Sequence, residues 1–204
     1  MSTTTVLLCG VGGQGTILAA DLLARAALAA GLDVKVSEIH GMAQRGGSVT
    51  TTVRFGESVE SMIADLGDSD FVVSFETTEA LRNLPYLKEG GKMLVSDETI
   101  TPMTVLTGAQ KMPEKPQETL AEQGALLIPA VQIAADAGTA KASNVALLGA
   151  LSVFLGFDES IWEDVISQRV PPKTIQTNLT AFHQGRAFVC SAKTLKRMKS
   201  TCER

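Results

Sequence analysis

The sequence predicts a doubly wound α/β domain, an open sheet with helices on its faces and an α-helical layer at the C-terminus. Three observations lead there. Short apolar runs alternate with helix-period segments in the order β-α-β-β, β-α-β, β-α, and helices follow. The 204 residues, 45% hydrophobic and 20% charged, supply a core for one domain, predicted to span 1–204 with 193–204 as a basic tail. No internal repeat or low-complexity tract interrupts the order.

The first strand is the apolar run Val6-Leu7-Leu8-Cys9, which breaks into Gly10-Val11-Gly12-Gly13-Gln14-Gly15 and then into a helix-prone segment. Gly10, Gly12 and Gly15 satisfy the G-x-G-x-x-G spacing of a Rossmann-like β-α turn. In that motif the first glycine permits the tight turn, the second lets backbone approach a ligand, and the third allows helix–strand packing. The helix end beyond would favour an anion. Gly10, Gly12, Gly13, Gln14 and Gly15 are therefore candidate cofactor-binding residues; the plainer reading is that these glycines only pack the joint. Ile17, Leu18, Leu22, Leu23, Ala26 and Ala30 recur at helical spacing, and Gly31 stops that helix.

Residues 33–39 alternate and read as the second strand of a β-α-β unit, parallel and right-handed to the first. Glu38 ends it, about 20 residues beyond the glycines, where a nicotinamide-dinucleotide enzyme holds a ribose hydroxyl. A solvated carboxylate at a strand end is the alternative. Next comes His40-Gly41-Met42-Ala43-Gln44-Arg45-Gly46-Gly47-Ser48, with neither helical nor strand period. It leaves the carboxyl end of a strand, the edge at which open α/β sheets place ligands. Arg45 offers a bidentate clamp for a carboxylate or phosphate, and His40 a proton shuttle or hydrogen-bond donor. The loop is otherwise an exposed connection whose arginine pairs with a nearby acid.

Val49, Thr51, Val53 and Phe55 alternate against Arg54 and threonines, giving a third strand whose polar face suggests a sheet edge or a subunit contact. Residues 70–75 form a further strand and Thr77 to Leu87 a helix. Glu76 and Glu79 at the joint suit the helix dipole, or a carboxylate for chemistry. Gly90-Gly91 turns the chain into a strand at 92–96. The 99–120 region, with Pro102, Pro113 and Pro116, is expected to be a polar excursion rather than core. A last buried strand at 125–129 and a short helix at 131–137 follow. Ser143 is expected to cap a helix through Phe154, and Asp158 one over 160–169; Thr174 to Arg186 forms the final amphipathic helix. Trp162 reads as a packing anchor. His183 reads as a helix-surface residue, since no second ligand type lies at i+3 or i+4, and no metal site is expected.

The net charge of −4 argues against nucleic-acid partners, and no apolar stretch approaches bilayer length. Met1-Ser2-Thr3-Thr4-Thr5 lacks the pattern of a secretory signal, and Cys9, Cys190 and Cys202 suit reduced thiols in a cytoplasmic protein. They are too few and too far apart to ligate an iron–sulfur cluster. No Ser-His-Asp spacing, nucleophile elbow, Walker turn or paired catalytic acids can be assembled, so the chain reads as part of an enzyme rather than a whole one.

The opening turn Gly10-Val11-Gly12-Gly13-Gln14-Gly15 with Ala19-Ala20, the loop Gly41-Met42-Ala43-Gln44-Arg45-Gly46-Gly47-Ser48 and the stretch Asn144-Val145-Ala146-Leu147-Leu148-Gly149-Ala150 together resemble the gamma domain of the 2-oxoacid:ferredoxin oxidoreductases. The likeness covers nearly the whole chain. Relatives acting on pyruvate or oxoglutarate usually read Ser-Tyr-Gly-Pro-Glu-x-Arg-Gly-Gly in the second loop, where this chain has Ala43 in place of the glutamate. That departure points from pyruvate towards the indolepyruvate type. The resemblance implies one subunit of an oxidoreductase, inactive alone, that decarboxylates aryl pyruvates to acyl-CoA and reduces ferredoxin. It implies thiamine diphosphate, Mg2+ and 4Fe-4S clusters in a large catalytic partner subunit, none in this chain, and coenzyme A as co-substrate. It adds Gln44, Arg45, Gly46 and Gly47 to the candidate binding residues. A free-standing dinucleotide-binding redox or regulatory protein is the competing class.

Overall fold

The structure, a computed structural model, describes residues 3–40 and 47–202; of His40, Met103, Thr104 and residues 192–202 it describes the backbone alone. A six-stranded sheet has the order β2-β3-β1-β4-β5-β6. Its strands are β1 (Thr4–Val11), β2 (Asp33–His40), β3 (Ser48–Gly56), β4 (Ser69–Ser74), β5 (Leu87–Ser96) and β6 (Leu126–Ile128). β1, β4, β5 and β6 run parallel, as α/β crossovers require, and β3 is antiparallel to both β1 and β2.

Helices cover both faces because alternate residues of the central strands are apolar in opposite directions. Val6 and Leu8 of β1 face the larger core, built with α1 (Thr16–Ala29), α5 (Ala130–Asp136), α6 (Ser143–Ser152), α7 (Glu159–Arg169) and α8 (Ile175–Cys202). Leu7 and Cys9 face the smaller core, with Ala80 of α2 (Thr77–Asn83) and Leu120 of α4 (Pro116–Glu122). α6 is buried from Asn144 to Ser152, and its Gly149 packs on the backbone of Phe182 in α8. Trp162 is fully buried and stacks at 5.6 Å from Phe182.

Several expectations are corrected. β2 runs in the same sense as β1 but does not adjoin it, because β3 returns antiparallel between them. β3 is therefore interior and β2 is the edge. Its polar face has a different origin: Arg54 reaches the carbonyl of Ile63 and Asp68 in the connection to β4. Gly90-Gly91 is not a turn between elements. β5 begins at Leu87, and the pair absorbs a register shift against β4, with Gly90 at φ 76°. α2 ends at Asn83 and a 3-10 turn continues to Tyr86, since Pro85 cannot donate to a longer helix. The 99–120 region contains α3 (Met103–Leu106) and α4, and Leu120 is fully buried, so it contributes core after all. Ser143 does not cap α6. A 3-10 turn headed by Thr139 runs into the helix and leaves Ser143 inside its first turn. Asp158 holds the N-cap position of α7 without a side-chain bond. The final helix starts at Ile175 and runs to Cys202, past the expected end at Arg186.

Candidate functional site

The sheet order reverses between β1, whose connection leads to β2 on one side, and β4, whose connection leads to β5 on the other. The crevice outside the carboxyl ends of such a strand pair is the ligand position of open α/β sheets. The opening glycine turn and Gly47, at the end of the second glycine motif, come to this edge. The register sets Val11 of β1 opposite Ser48 and His40 opposite Val49, so β2 ends and β3 begins beside the turn after β1. The Gly12 N–H donates to the carbonyl of Gly47 at 2.8 Å, which joins the opening turn to the end of the second loop.

Gln14 determines the inside of the turn. Its Oε1 accepts from Val11 N–H at 2.9 Å, while its Nε2 donates to the Phe75 carbonyl at 2.9 Å and to Glu98 Oε2 at 3.1 Å. The side chain thus ties β1 to the chain leaving β4 and to the chain leaving β5. Gly10 is needed for this closeness, since a Cβ there would sit 2.8 Å from Gln14 Oε1 and 3.0 Å from Phe75 Cβ. Gly15, at φ 81°, precedes α1, and a Cβ on it would collide with the Asn144 amide, whose Nδ2 donates to the Gly15 carbonyl at 3.2 Å. Gly13 is exposed, with φ 108° and open space around it.

The neighbouring joint between β4 and α2 is acidic and buried. Glu76 caps α2, its carboxylate accepting from the N–H of Thr78 at 2.8 Å and from that of Glu79. Burial pushes the Glu76 carboxyl above the usual range, against those amide bonds, which favour the anion. Glu79 accepts from Ser48 Oγ at 2.6 Å and pairs with Arg82 at 2.9 Å, so β3 is fastened to α2 right after the second loop. The Cys9 thiol donates to the Glu79 carbonyl at 3.7 Å, and burial pushes its pKa up to about 12. That thiol is a packing group, because the nucleophile would be the thiolate.

This arrangement positions more than it reacts. The amide donors of Val11 and Gly12 are taken by Gln14 and Gly47, and the Glu98 carboxylate stands beside the turn. A dinucleotide pyrophosphate would meet occupied donors and a negative charge. Glu38 also departs from the dinucleotide pattern: β3 intervenes, so Glu38 lies two strand spacings from β1, about 10 Å, and is exposed on the edge strand. His40 ends β2 opposite Val49, and only its backbone is described. Gln44, Arg45 and Gly46 lie outside the described residues. Sequence reasoning missed the parts played by Phe75, Glu98 and Asn144. The positional signal was available for Glu98, two residues past Ser96 at the carboxyl end of a parallel strand.

The profile of the pyruvate ferredoxin/flavodoxin oxidoreductase family matches residues 5–188. The chain belongs to that family. It is 41% identical over 192 residues to the indolepyruvate oxidoreductase subunit IorB of Thermococcus kodakarensis, covering 91% of this chain and 95% of the relative. It is 27% identical over 186 residues to the pyruvate/ketoisovalerate oxidoreductases common subunit gamma of Pyrococcus abyssi, covering 88% and 95%. Among solved structures it shares the fold of a keto/oxoacid ferredoxin oxidoreductase gamma subunit from Geobacter sulfurreducens, with TM-score 0.69 and 24% identity over 92% of this chain and 99% of that one. The 2-oxoglutarate:ferredoxin oxidoreductase of Magnetococcus marinus contains the same fold within a longer chain, with TM-score 0.71 and 23% identity over 94% of this chain and 32% of that one. Within this oxidoreductase family chemistry, the described thiols do not fit a cluster: Cys9 is buried on β1 and Cys190 is exposed on α8. Among the described residues no helix is long and apolar enough to cross a membrane.

Proposed function

We propose that this chain is the small, non-cluster subunit of a cytoplasmic indolepyruvate-type 2-oxoacid:ferredoxin oxidoreductase. The complex converts an aryl 2-oxoacid and coenzyme A to acyl-CoA and CO2 and passes two electrons to ferredoxin. The observation that carries this reading is the match to IorB, which spans 95% of that subunit's length. Thiamine diphosphate with Mg2+ supplies the decarboxylation chemistry and 4Fe-4S clusters the electron path, all in the large catalytic partner. This chain contributes a shaped edge. The Gly10–Gly15 turn is held by Gln14 and joined to Gly47, and Gln44, Arg45, Gly46 and Gly47 are assigned to binding the anionic part of the substrate or of coenzyme A, Arg45 as a bidentate clamp. His40, whose backbone ends β2, is the candidate hydrogen-bond donor or proton shuttle of this reading.

The self-occupied turn favours this reading over a free-standing dinucleotide protein. Binding of NAD(H), NADP(H) and flavin to the isolated chain tests the choice. No saturable binding is expected; micromolar binding of any of them moves the assignment to the dinucleotide class.

A further inference from the structure

Away from the sheet edge, α7 and α8 bring together three metal-ligating side chains that the family reading does not use. Glu159 and Glu163 are spaced i, i+4 and therefore share one face of α7, while His183 projects from α8 between them. The imidazole Nδ1 lies 2.8 Å from Glu159 Oε1 and Nε2 lies 3.2 Å from Glu163 Oε1. One ligand atom from each residue falls within 4.8 Å of the others, and among the described residues this is the cluster with that property.

Two occupants fit the space between these groups. An imidazolium donates one N–H to each carboxylate as an ion pair. A divalent cation takes the place of that proton, binding one ring lone pair and an oxygen of each carboxylate. The dimensions suit it: metal–nitrogen and metal–oxygen distances of about 2.0 Å set ligand atoms about 3.3 Å apart in a tetrahedron. The spacing between His183 and Glu163 already has that value, and rotation of the long Glu159 side chain brings in the third ligand. Arg186 pairs with the other oxygen of Glu159 at 3.2 Å, a contact that this rotation exchanges for the metal. The Phe182 ring meets the imidazole edge-on at 5.7 Å.

We propose that Glu159, Glu163 and His183 form a site for one divalent transition-metal ion of the Zn2+ class, clasping α7 to α8 with a water in the fourth position. Mixed imidazole and carboxylate donors select Zn2+, Co2+ or Ni2+ over Mg2+ and Ca2+.

The test uses the full chain with Cys190→Ser and Cys202→Ser, so that thiols cannot hold the metal. Calorimetric titration with ZnCl2 should show one saturable equivalent, Co2+ should give visible d–d absorption, and Zn2+ should raise the melting temperature. His183→Ala and, independently, Glu163→Gln should each weaken Zn2+ binding by more than about tenfold, the least that loss of even an outer-shell partner costs at such sites. All three side chains are solvent-accessible, so the variants are expected to fold, which far-ultraviolet circular dichroism verifies. Absence of a saturable equivalent, or equal affinity in the parent and both variants, overturns the proposal and leaves the cluster as an ion pair.

Discussion

Replacing Gly149 by alanine tests how α6 is seated. The new Cβ would lie 2.8 Å from the carbonyl carbon of Phe182 and 3.1 Å from its Cα, and closer still to the carbonyl oxygen. The obstacle is backbone, so no rotamer relieves it. Ordinary carbon contacts are about 3.5–4.0 Å, so α6 and α8 must part by about 1 Å. The same happens in mirror image at Gly185, whose Cβ would meet the backbone of Ala146. A gap of that size forfeits a quarter to a half of each dispersion contact along an interface that includes the fully buried Ala146, Ala181 and Phe182. Overpacking of this kind costs about 1–3 kcal/mol, occasionally more, and the better helix propensity of alanine returns about 1 kcal/mol. With no flexible side chain to yield, the upper end applies and the net loss is about 2 kcal/mol, a fall in Tm of roughly 4–8 °C for a chain of this length. Trp162, the sole tryptophan, stacks on Phe182 and reports unfolding by fluorescence in heat or urea. An unchanged or raised Tm would mean that propensity dominates and that the helices are not in backbone contact.

Three further outcomes are expected. Gln14→Glu sets a carboxylate beside Glu98 and the Phe75 carbonyl in place of an amide donor and should lower stability by about 1–2 kcal/mol at neutral pH; Glu98→Gln added to it should recover the part due to repulsion between the carboxylates, and a purely additive double mutant in urea unfolding would refute the contact. Because burial raises the Glu76 carboxyl, its protonated form is the one favoured by folding, so its contribution is complete below about pH 4 and is lost as pH rises through the raised value. Urea midpoints of the wild type relative to Glu76→Gln should therefore decline over that interval, and a difference that grows with pH contradicts the assignment. Arg45→Ala should lower kcat/KM of the reconstituted complex for arylpyruvate by roughly ten- to a hundredfold with subunit association unchanged on gel filtration, and Arg45→Lys should not restore it; wild-type kinetics would return the loop to ordinary surface.

Local pattern carried much of the fold. The β1–turn–α1 unit, the burial of Trp162 and the place of Glu76 at the joint before α2 all follow from apolar period, glycine spacing and dipole chemistry within about ten residues. Pairing between distant segments was not legible in that way. The parallel sense of β2 fits a β-α-β reading, but nothing in its own residues tells that β3 returns to lie between it and β1. The threonines and Arg54 of β3 mimic an edge strand because their partners, Ile63 and Asp68, come from a later connection. His183 shows the same limit: its acidic neighbours stand on α7, not at i+3 or i+4 of its own helix. At the candidate site the glycines were visible as a turn, whereas Gln14 filling that turn required the three-dimensional approach of Phe75 and Glu98.

A chain that works as the small subunit of a larger oxidoreductase turns over only with its partner. The direct measurement is indolepyruvate- and coenzyme A-dependent reduction of ferredoxin by this chain alone, by the large subunit alone, and by the two co-expressed and purified together. Only the co-purified pair should turn over, and the isolated small subunit should show no iron–sulfur absorbance after anaerobic reconstitution. Turnover by this chain alone, or full activity of the large subunit without it, would rule out that role.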